Sequence, residues 1–152
     1  MRAVTVPYLR TALPAADYDP LARWWDAMLT DPRMEDYTPV LTHGDLWYEN
    51  LLVDEGLRTL TGVLDFEDAG VGDPAQDFAI LRHLGTTFTG QVIAAARAAG
   101  GRFDPGFAHR LDRLWELREF DGLAFALEIG AEAETDDAIR KLRHGPILRK
   151  KV

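Results

Sequence analysis

In the stretch 41–77, short apolar runs alternate with single polar residues, and this pattern limits the possible folds of the chain more than any other. Residues 51–53 and residues 60–64 are apolar runs of strand length, so each predicts a short strand. The sequence Asp-Glu-Gly at residues 54–56 lies between them and predicts a turn. Two strands joined by a short turn form a hairpin, and a hairpin determines which flanking residues meet.

Three polar side chains stand next to these predicted strands. Asn50 comes directly before the first strand, and Asp65 comes directly after the second. Because the open ends of a hairpin lie side by side, we expect the Asn50 amide and the Asp65 carboxylate to be neighbours. Asp45, on the loop that leads into the first strand, can direct its carboxylate at the same space. Carboxylate and amide oxygens are hard ligands that suit Mg²⁺, so the sequence predicts a magnesium site here.

The order of these residues is the one that phosphoryl transfer needs. A loop of the form H-x-D-x-x-x-x-N supplies an Asp that accepts the proton of an attacking hydroxyl and an Asn that holds a metal ion. A later Asp, after a strand, holds the metal ions that bridge the phosphates. Here His43, Asp45 and Asn50 match the loop, and D-F-E at residues 65–67 stands where protein kinases have D-F-G. Gly44 replaces the Arg of protein kinases, which argues against that class.

The stretch resembles the aminoglycoside phosphotransferase and choline kinase family, whose members are protein-kinase-like kinases of small molecules. Members pair H-G-D-x-x-x-x-N with D-F-x-x-x-x-x-G-D-P-x-x-D. Every fixed position of both motifs is present here, at His43, Gly44, Asp45, Asn50, Asp65, Phe66, Gly72, Asp73, Pro74 and Asp77. The resemblance implies the C-terminal, catalytic lobe of a phosphotransferase, with an α+β, mainly α fold in which a small β-hairpin carries the catalytic loop and the metal site. It also implies that Mg²⁺ and ATP or GTP serve transfer of the terminal phosphoryl group to a small-molecule hydroxyl.

The resemblance gives three residues a chemical role: Asp45 as the catalytic carboxylate, and Asn50 and Asp65 as metal ligands. His43 is interpreted as a packed, hydrogen-bonded anchor of the loop rather than as a base. Asp73 precedes Pro74 at the start of an apolar-periodic segment, which predicts a helix cap. In this family a buried Asp of the second motif braces the backbone of the catalytic loop. Both Asp73 and Asp77 remain candidates for that role.

An acidic cluster lies further along the chain, where the resemblance places the acceptor pocket. Its members are Glu128, Glu132, Glu134, Asp136 and Asp137. One interpretation makes Glu128 and Glu132 a rim that binds an amine of the acceptor. The other is a solvated loop and helix N-terminus, where carboxylates interact favourably with the helix dipole. Both interpretations stay open.

Composition excludes several classes of protein. Acidic residues outnumber basic ones by 25 to 17, which gives a net charge of −8 and argues against nucleic-acid binding. The same charge is compatible with a cationic acceptor, although solubility explains it equally well. The chain has no Cys, so it has neither a disulfide framework nor a cysteine-based zinc site. Without a convincing signal peptide or a long apolar run, we expect a soluble cytoplasmic protein with no membrane partner.

A complete kinase also needs a Gly-rich loop over the phosphates and a strand Lys, and this sequence shows neither before the motifs. We therefore expect residues 1–152 to be a single domain, the C-terminal lobe, with the nucleotide-binding lobe supplied in cis or in trans. The alternative is a non-catalytic, pseudokinase-like binding module or an inactive fragment. A dehalogenase-like phosphatase built on Asp65 ranks last, because that class needs an Asp where Glu67 stands.

Apolar periodicity predicts helices outside the motifs. We expect residues 1–16 to be irregular because of their prolines, and a helix to begin at Pro20. Trp24 and Trp25 share a face of that helix and are predicted to be core residues rather than a ligand platform. Further helical segments are predicted at residues 74–84, 91–99, 107–118 and 121–129, and in a last helix capped by Thr135.

Overall fold

The computed structural model describes residues 1–56 and 58–149. The chain forms two compact units. The helical unit combines Met1–Met34 with the chain from Glu116 onward, and the site unit comprises Glu35–Trp115. The expectation of a single domain over 1–152 stays a prediction. Within the described residues, no helix is both long and apolar enough to cross a bilayer.

The helical unit packs four helices and the second half of a fifth around one apolar core. Its helices are α1 (Arg2–Ala12), α2 (Ala15–Thr30), the end of α5 (Phe107–Ile129), α6 (Glu132–His144) and α7 (Pro146–Arg149). Trp24 and Trp25 are buried here, which confirms them as core residues. The Trp24 ring stacks on Phe120 at 5.2 Å, and its indole Nε1 donates to the buried Glu116 carboxylate over 2.7 Å.

The site unit contains two small antiparallel sheets. Strand β1 (Val40–Thr42) pairs with β4 (Gly70–Gly72), and β2 (Leu51–Val53) pairs with β3 (Leu60–Val63). The second pair is the hairpin that the sequence predicts. The first pair joins segments on either side of that hairpin, and no local turn signal announces it. It places Gly72 of the G-D-P motif opposite Val40, three residues before the H-G-D motif.

Helices α3 (Ala75–Ile80), α4 (Thr86–Ala98) and the first part of α5 complete the site unit. A 3₁₀ turn, Leu81–Leu84, follows α3. The core of this unit consists of Ala75, Ala79, Phe107 and Leu111, with Phe78, Ile93, Phe103 and Leu114 packed against it. The segment that begins at the G-D-P motif is therefore anchored to the start of α5.

Two predictions near the N-terminus are wrong. Residues 2–12 are helical rather than irregular, and α2 begins at Ala15, so Pro7 and Pro20 both lie inside helices. Each proline removes one backbone hydrogen bond. Burial of Leu9 and Leu21 in the core outweighs that cost, since apolar burial stabilises a helix more than propensity does.

The predicted break between residues 118 and 121 is also absent, because α5 is continuous. Phe120, Leu123 and Ala126 continue its buried face across that point. Thr135 does not cap the last helix: α6 begins at Glu132, and the Thr135 hydroxyl inside it donates to the Ala131 carbonyl over 2.9 Å. A threonine inside a helix can bond back to the preceding turn in this way.

Candidate active site

The loop from Asp45 to Asn50 folds back on itself through four hydrogen bonds. The Trp47 amide donates to the Asp45 carbonyl over 2.8 Å, and the Asn50 amide donates to the Trp47 carbonyl over 3.0 Å. The Asn50 side-chain Nδ2 donates to the Asp45 carbonyl at 3.0 Å and reaches Asp45 Oδ2 at 3.3 Å. The structure therefore brings the Asp45 and Asn50 side chains together.

The hairpin then brings Asn50 next to Asp65 along the backbone. The Leu64 amide donates to the Asn50 carbonyl over 2.8 Å, which extends the β2–β3 ladder by one step. Asp65 follows Leu64 directly and is exposed. Its φ of 60° lies in the left-handed region, which Asp tolerates better than most residues. This bend ends strand pairing and turns the chain at the position of the carboxylate.

His43 is buried beneath this bend. Its Nε2 lies 2.8 Å from the Leu64 carbonyl, and its ring packs on Phe66 at 4.5 Å. Because a carbonyl only accepts, Nε2 carries the proton of this hydrogen bond. Nδ1 has no hydrogen-bond partner within the described part of the chain. His43 thus ties the H-G-D motif to the residue before Asp65.

Of the two acidic residues that the sequence leaves open, Asp77 is the one whose carboxylate meets the loop backbone. It accepts from the His43 amide at 2.8 Å and from the Gly44 amide at 3.0 Å. Asp73 instead accepts from the Ala75 amide at the start of α3. Its other oxygen accepts from the Arg110 guanidinium over 2.7 Å.

Gly44 allows the two motifs to touch. Its φ is +87°, and a Cβ built on it would lie 2.2 Å from the carbonyl oxygen of Asp68. No side chain fits in that gap without moving the backbone. The glycine of H-G-D is therefore required both by its left-handed conformation and by the close approach of the segment after Asp65.

Arg110 is a further residue of this region that the sequence motifs do not include, and it holds Asp73 of the G-D-P motif in place. It is fully buried in α5, and it pairs with Asp73 and, through two nitrogens at 2.7 and 2.9 Å, with Asp104. It also donates to the Asp36 carbonyl over 3.0 Å. Hydrogen bonds from Arg110 lower the pKa of Asp104 to about 2, and those carboxylates raise the pKa of Arg110. A sequence signal existed, since Arg110 shares a helix face with Phe107 and Leu111.

A model of the phosphotransferase enzyme family matches residues 2–115, which is most of the chain. The chain belongs to the phosphotransferase enzyme family. Among related sequences, it is 31% identical to viomycin phosphotransferase of Streptomyces vinaceus over 108 residues, 70% of this chain and 37% of that protein.

Solved structures of phosphotransferases share the fold of this family member. The structure of APH(2")-IIia in complex with GDP and kanamycin covers 93% of this chain and 47% of the APH(2")-IIia chain, with a TM-score of 0.78 and 25% identity. The structure of a macrolide 2'-phosphotransferase type I covers 92% of this chain and 46% of the macrolide phosphotransferase chain, with a TM-score of 0.68 and 29% identity. The predicted fold, mainly helical and kinase-like, is confirmed. The chain spans about half the length of these structures.

The donor set of this phosphotransferase family member fits a hard divalent cation. Asn50 donates to both Asp45 oxygens through its NH₂ group, and its Oδ1 is the amide atom that can serve as a metal ligand. The Asp65 carboxylate is exposed on the adjacent bend. Within the described residues no three His, Cys, Asp or Glu side chains form a metal cluster. An amide oxygen and a carboxylate are the hard ligands that suit Mg²⁺.

Glu128 and Glu132, the predicted acceptor rim, belong to the helical unit. Glu128 is exposed near the end of α5. Glu132 lies in the first turn of α6 and lines a cavity of about 470 Å³ together with Tyr8 and Asp136. Asp137, another member of the acidic cluster, is paired with Lys141 and Arg140, and hydrogen bonds from Lys141 and then Arg140 lower the pKa of Asp137. The rim stays a prediction.

Proposed function

We propose that this chain is the catalytic half of a small-molecule O-phosphotransferase that uses ATP or GTP with Mg²⁺. The observation that carries the proposal is the hydrogen-bonded loop that sets Asp45 against Asn50 and places Asn50 next to Asp65. Family membership supports the reaction class. A GDP complex among the structural relatives supports a nucleotide donor.

In this mechanism Asp45 orients the acceptor hydroxyl and takes its proton as the oxygen attacks the terminal phosphorus. The bond between that phosphorus and the bridging oxygen breaks, and the nucleoside diphosphate leaves. The Asn50 amide keeps Asp45 Oδ2 in place, so the other carboxylate oxygen is free to meet the hydroxyl. Asn50 Oδ1 and Asp65 would hold Mg²⁺. When bound, this ion would neutralise negative charge on the phosphates.

The acceptor that we propose is a hydroxylated small molecule, and a cationic one suits the chain's charge of −8. Relatives are named for viomycin and for macrolides, and one is solved with kanamycin. We propose Glu128 and Glu132 as the rim that binds an acceptor amine. No nucleic acid or membrane is part of this proposal.

The remaining partner is the nucleotide-binding half of the enzyme, in cis or in trans. Leu41 and Val71 form a cross-strand pair in β1 and β4, and both side chains are largely exposed, at 80% and 77%. Leu52, Val53 and Leu60 of the hairpin are exposed as well. Two-stranded sheets are marginal alone, and clustered exposed apolar groups mark interaction surfaces. We propose that the other half packs on Leu41 and Val71.

The test needs a completed enzyme, in which this chain is joined to the part of viomycin phosphotransferase that it does not match. In the completed enzyme we expect Asp45→Asn to lower kcat at least about 10²-fold, because a positioned base contributes that much. Donor affinity should stay unchanged. Glu67→Gln, an exposed acidic position nearby, is the control and should keep its activity. Turnover of Asp45→Asn at the unsubstituted rate would refute the base role.

Asp65→Asn tests the metal ligand in the same enzyme. Asn tolerates the left-handed backbone at this position, so the substitution removes charge without adding strain. We expect the Mg²⁺ concentration that gives half-maximal rate to rise about tenfold or more. An unchanged Mg²⁺ dependence would contradict the assignment. A completed enzyme that binds Mg-ATP but phosphorylates none of viomycin, kanamycin and a macrolide would favour the alternative, a non-catalytic binding module.

A further inference from the structure

We infer that Trp47 sets the spacing between Asp45 and Asn50, and that His83 is the positioning residue that holds Trp47 in place. Neither side chain belongs to the fixed positions of the two motifs. Both are partly buried, and both lie in the site unit. The functional meaning of this inference rests on the proposed roles of Asp45 and Asn50.

The backbone of Trp47 bridges the two candidate functional residues. Its amide donates to the Asp45 carbonyl, and its carbonyl accepts from the Asn50 amide. Any displacement of Trp47 therefore strains or breaks both hydrogen bonds. The two hydrogen bonds from Asn50 Nδ2 to Asp45 depend on the same loop geometry. The Trp47 backbone is thus hydrogen-bonded to the backbones of both Asp45 and Asn50.

The Trp47 side chain is held from outside the loop by an aromatic stack. The His83 ring meets the Trp47 ring at 4.3 Å with an interplanar angle of 81°, and it meets the Trp115 ring at 5.0 Å and 78°. Both contacts are edge-to-face, the geometry that aromatic quadrupoles favour. His83 therefore links the catalytic loop to the first part of α5 through two ring contacts.

The same short segment of chain holds the loop at two points. Asp77, in α3, binds the amides of His43 and Gly44 on one side of Asp45. His83, in the turn that follows α3, contacts Trp47 on the other side. Asp45 lies between these two attachments. One is a charge-assisted pair of hydrogen bonds and the other is aromatic packing, so each can be removed without removing the other.

Amide hydrogen exchange of the 152-residue chain, measured by NMR, tests whether Asp77 and His83 hold the loop at two separate points. His83→Leu keeps the volume of the side chain but removes the ring contacts. We expect exchange at the Trp47 and Asn50 amides to become about tenfold faster, because an aromatic pair contributes on that scale. Exchange at His43 and Gly44 should change less than about twofold. His83→Phe, which restores a ring, should restore slow exchange at Trp47 and Asn50.

Asp77→Asn is the reciprocal variant and should speed exchange at His43 and Gly44 more than at Trp47 and Asn50. If His83→Leu does not fold, Trp115→Leu removes the far contact of the stack and should give the same pattern at Trp47 and Asn50. Equal acceleration at all four amides, no change at Trp47 and Asn50, or failure of His83→Phe to rescue would overturn the proposal. Exchange requires no turnover, so this test and that of the proposed function can fail independently.

Discussion

At the scale of single residues, the candidate site depends on two backbone conformations that few side chains accept. Gly44 and Asp65 both have positive φ, at +87° and 60°. The first lets the H-G-D motif touch the backbone of Asp68, and the second turns the chain where the metal ligand is proposed. Each bend follows the end of a strand and turns the chain out of the sheet, at Asp65 itself and just before Asp45.

Replacing Gly44 with Ala should therefore destabilise the chain by at least about 2 kcal/mol, since it adds strain and a clash with Asp68 together. Urea unfolding measures the free energy. Gly90→Ala is the matched control: it lies inside α4 with open space around it, and there Ala should stabilise the chain by about 0.5–1 kcal/mol. A stability for Gly44→Ala equal to that of the unsubstituted chain would contradict the close approach.

At the scale of elements, the start of α5 holds the G-D-P motif through Arg110. This buried guanidinium donates hydrogen bonds to the carboxylates of Asp73 and Asp104. It also donates to the carbonyl of Asp36, in the segment that leads into β1. A buried charge of this kind is tolerated only when it is fully paired. Three separate segments of the site unit are thus held by one side chain.

The Asp104–Arg110 ion pair predicts a specific loss of stability in acid. The folded-state pKa of Asp104, about 2, is below its ordinary value of 3.8. The pair therefore stabilises the folded chain above the ordinary pKa, and this contribution disappears as the pH falls through about 2. At neutral pH we expect Asp104→Asn to lower the unfolding free energy by about 1–3 kcal/mol.

The measurement is urea unfolding as a function of pH. The difference between Asp104→Asn and the unsubstituted chain should shrink as the pH falls toward about 2. Asp19→Asn, at an exposed position of α2 with no described ion pair, should differ little from the unsubstituted chain at any pH. A difference for Asp104→Asn that is independent of pH would exclude this ion pair as its source.

At the scale of the whole molecule, strands β1 and β4 expose large apolar side chains of a kind that a folded protein normally buries. Leu41 and Val71 are more exposed than any other large apolar side chain of the described residues. The structural relatives are about twice as long as this chain. These two facts motivate the proposal that a second polypeptide segment covers β1 and β4.

The double variant Leu41→Lys, Val71→Lys tests that surface. We expect its unfolding free energy to change by less than about 0.5 kcal/mol, since both positions are exposed. Its assembly in trans with the unmatched part of viomycin phosphotransferase, followed by analytical ultracentrifugation, should weaken at least about tenfold. Phe125→Lys, at a 61% exposed position of the helical unit, is the control and should leave assembly intact. Unimpaired assembly of the double variant would place the interface elsewhere.

Residues near one another in the chain were enough to predict the phosphotransferase family and the hairpin that brings Asn50 next to Asp65 along the backbone. The reason is that a hairpin is local: two apolar runs and a turn are enough to bring their flanking residues together. It also predicted the burial of Trp24 and Trp25 from helical spacing alone. The hairpin depends on contacts between residues close in the chain, and the burial of Trp24 and Trp25 follows from their position on the apolar face of a helix.

The other contacts of the site could not be predicted from local sequence. Pairing of β1 with β4, the choice of Asp77 over Asp73 at the loop backbone, and the ion pairs of Arg110 all join residues that are distant in sequence. The helix over residues 2–12 forms in spite of Pro7. Local propensity contributes little compared with the free energy of burying an apolar face, and that burial depends on partners that only the folded chain brings together.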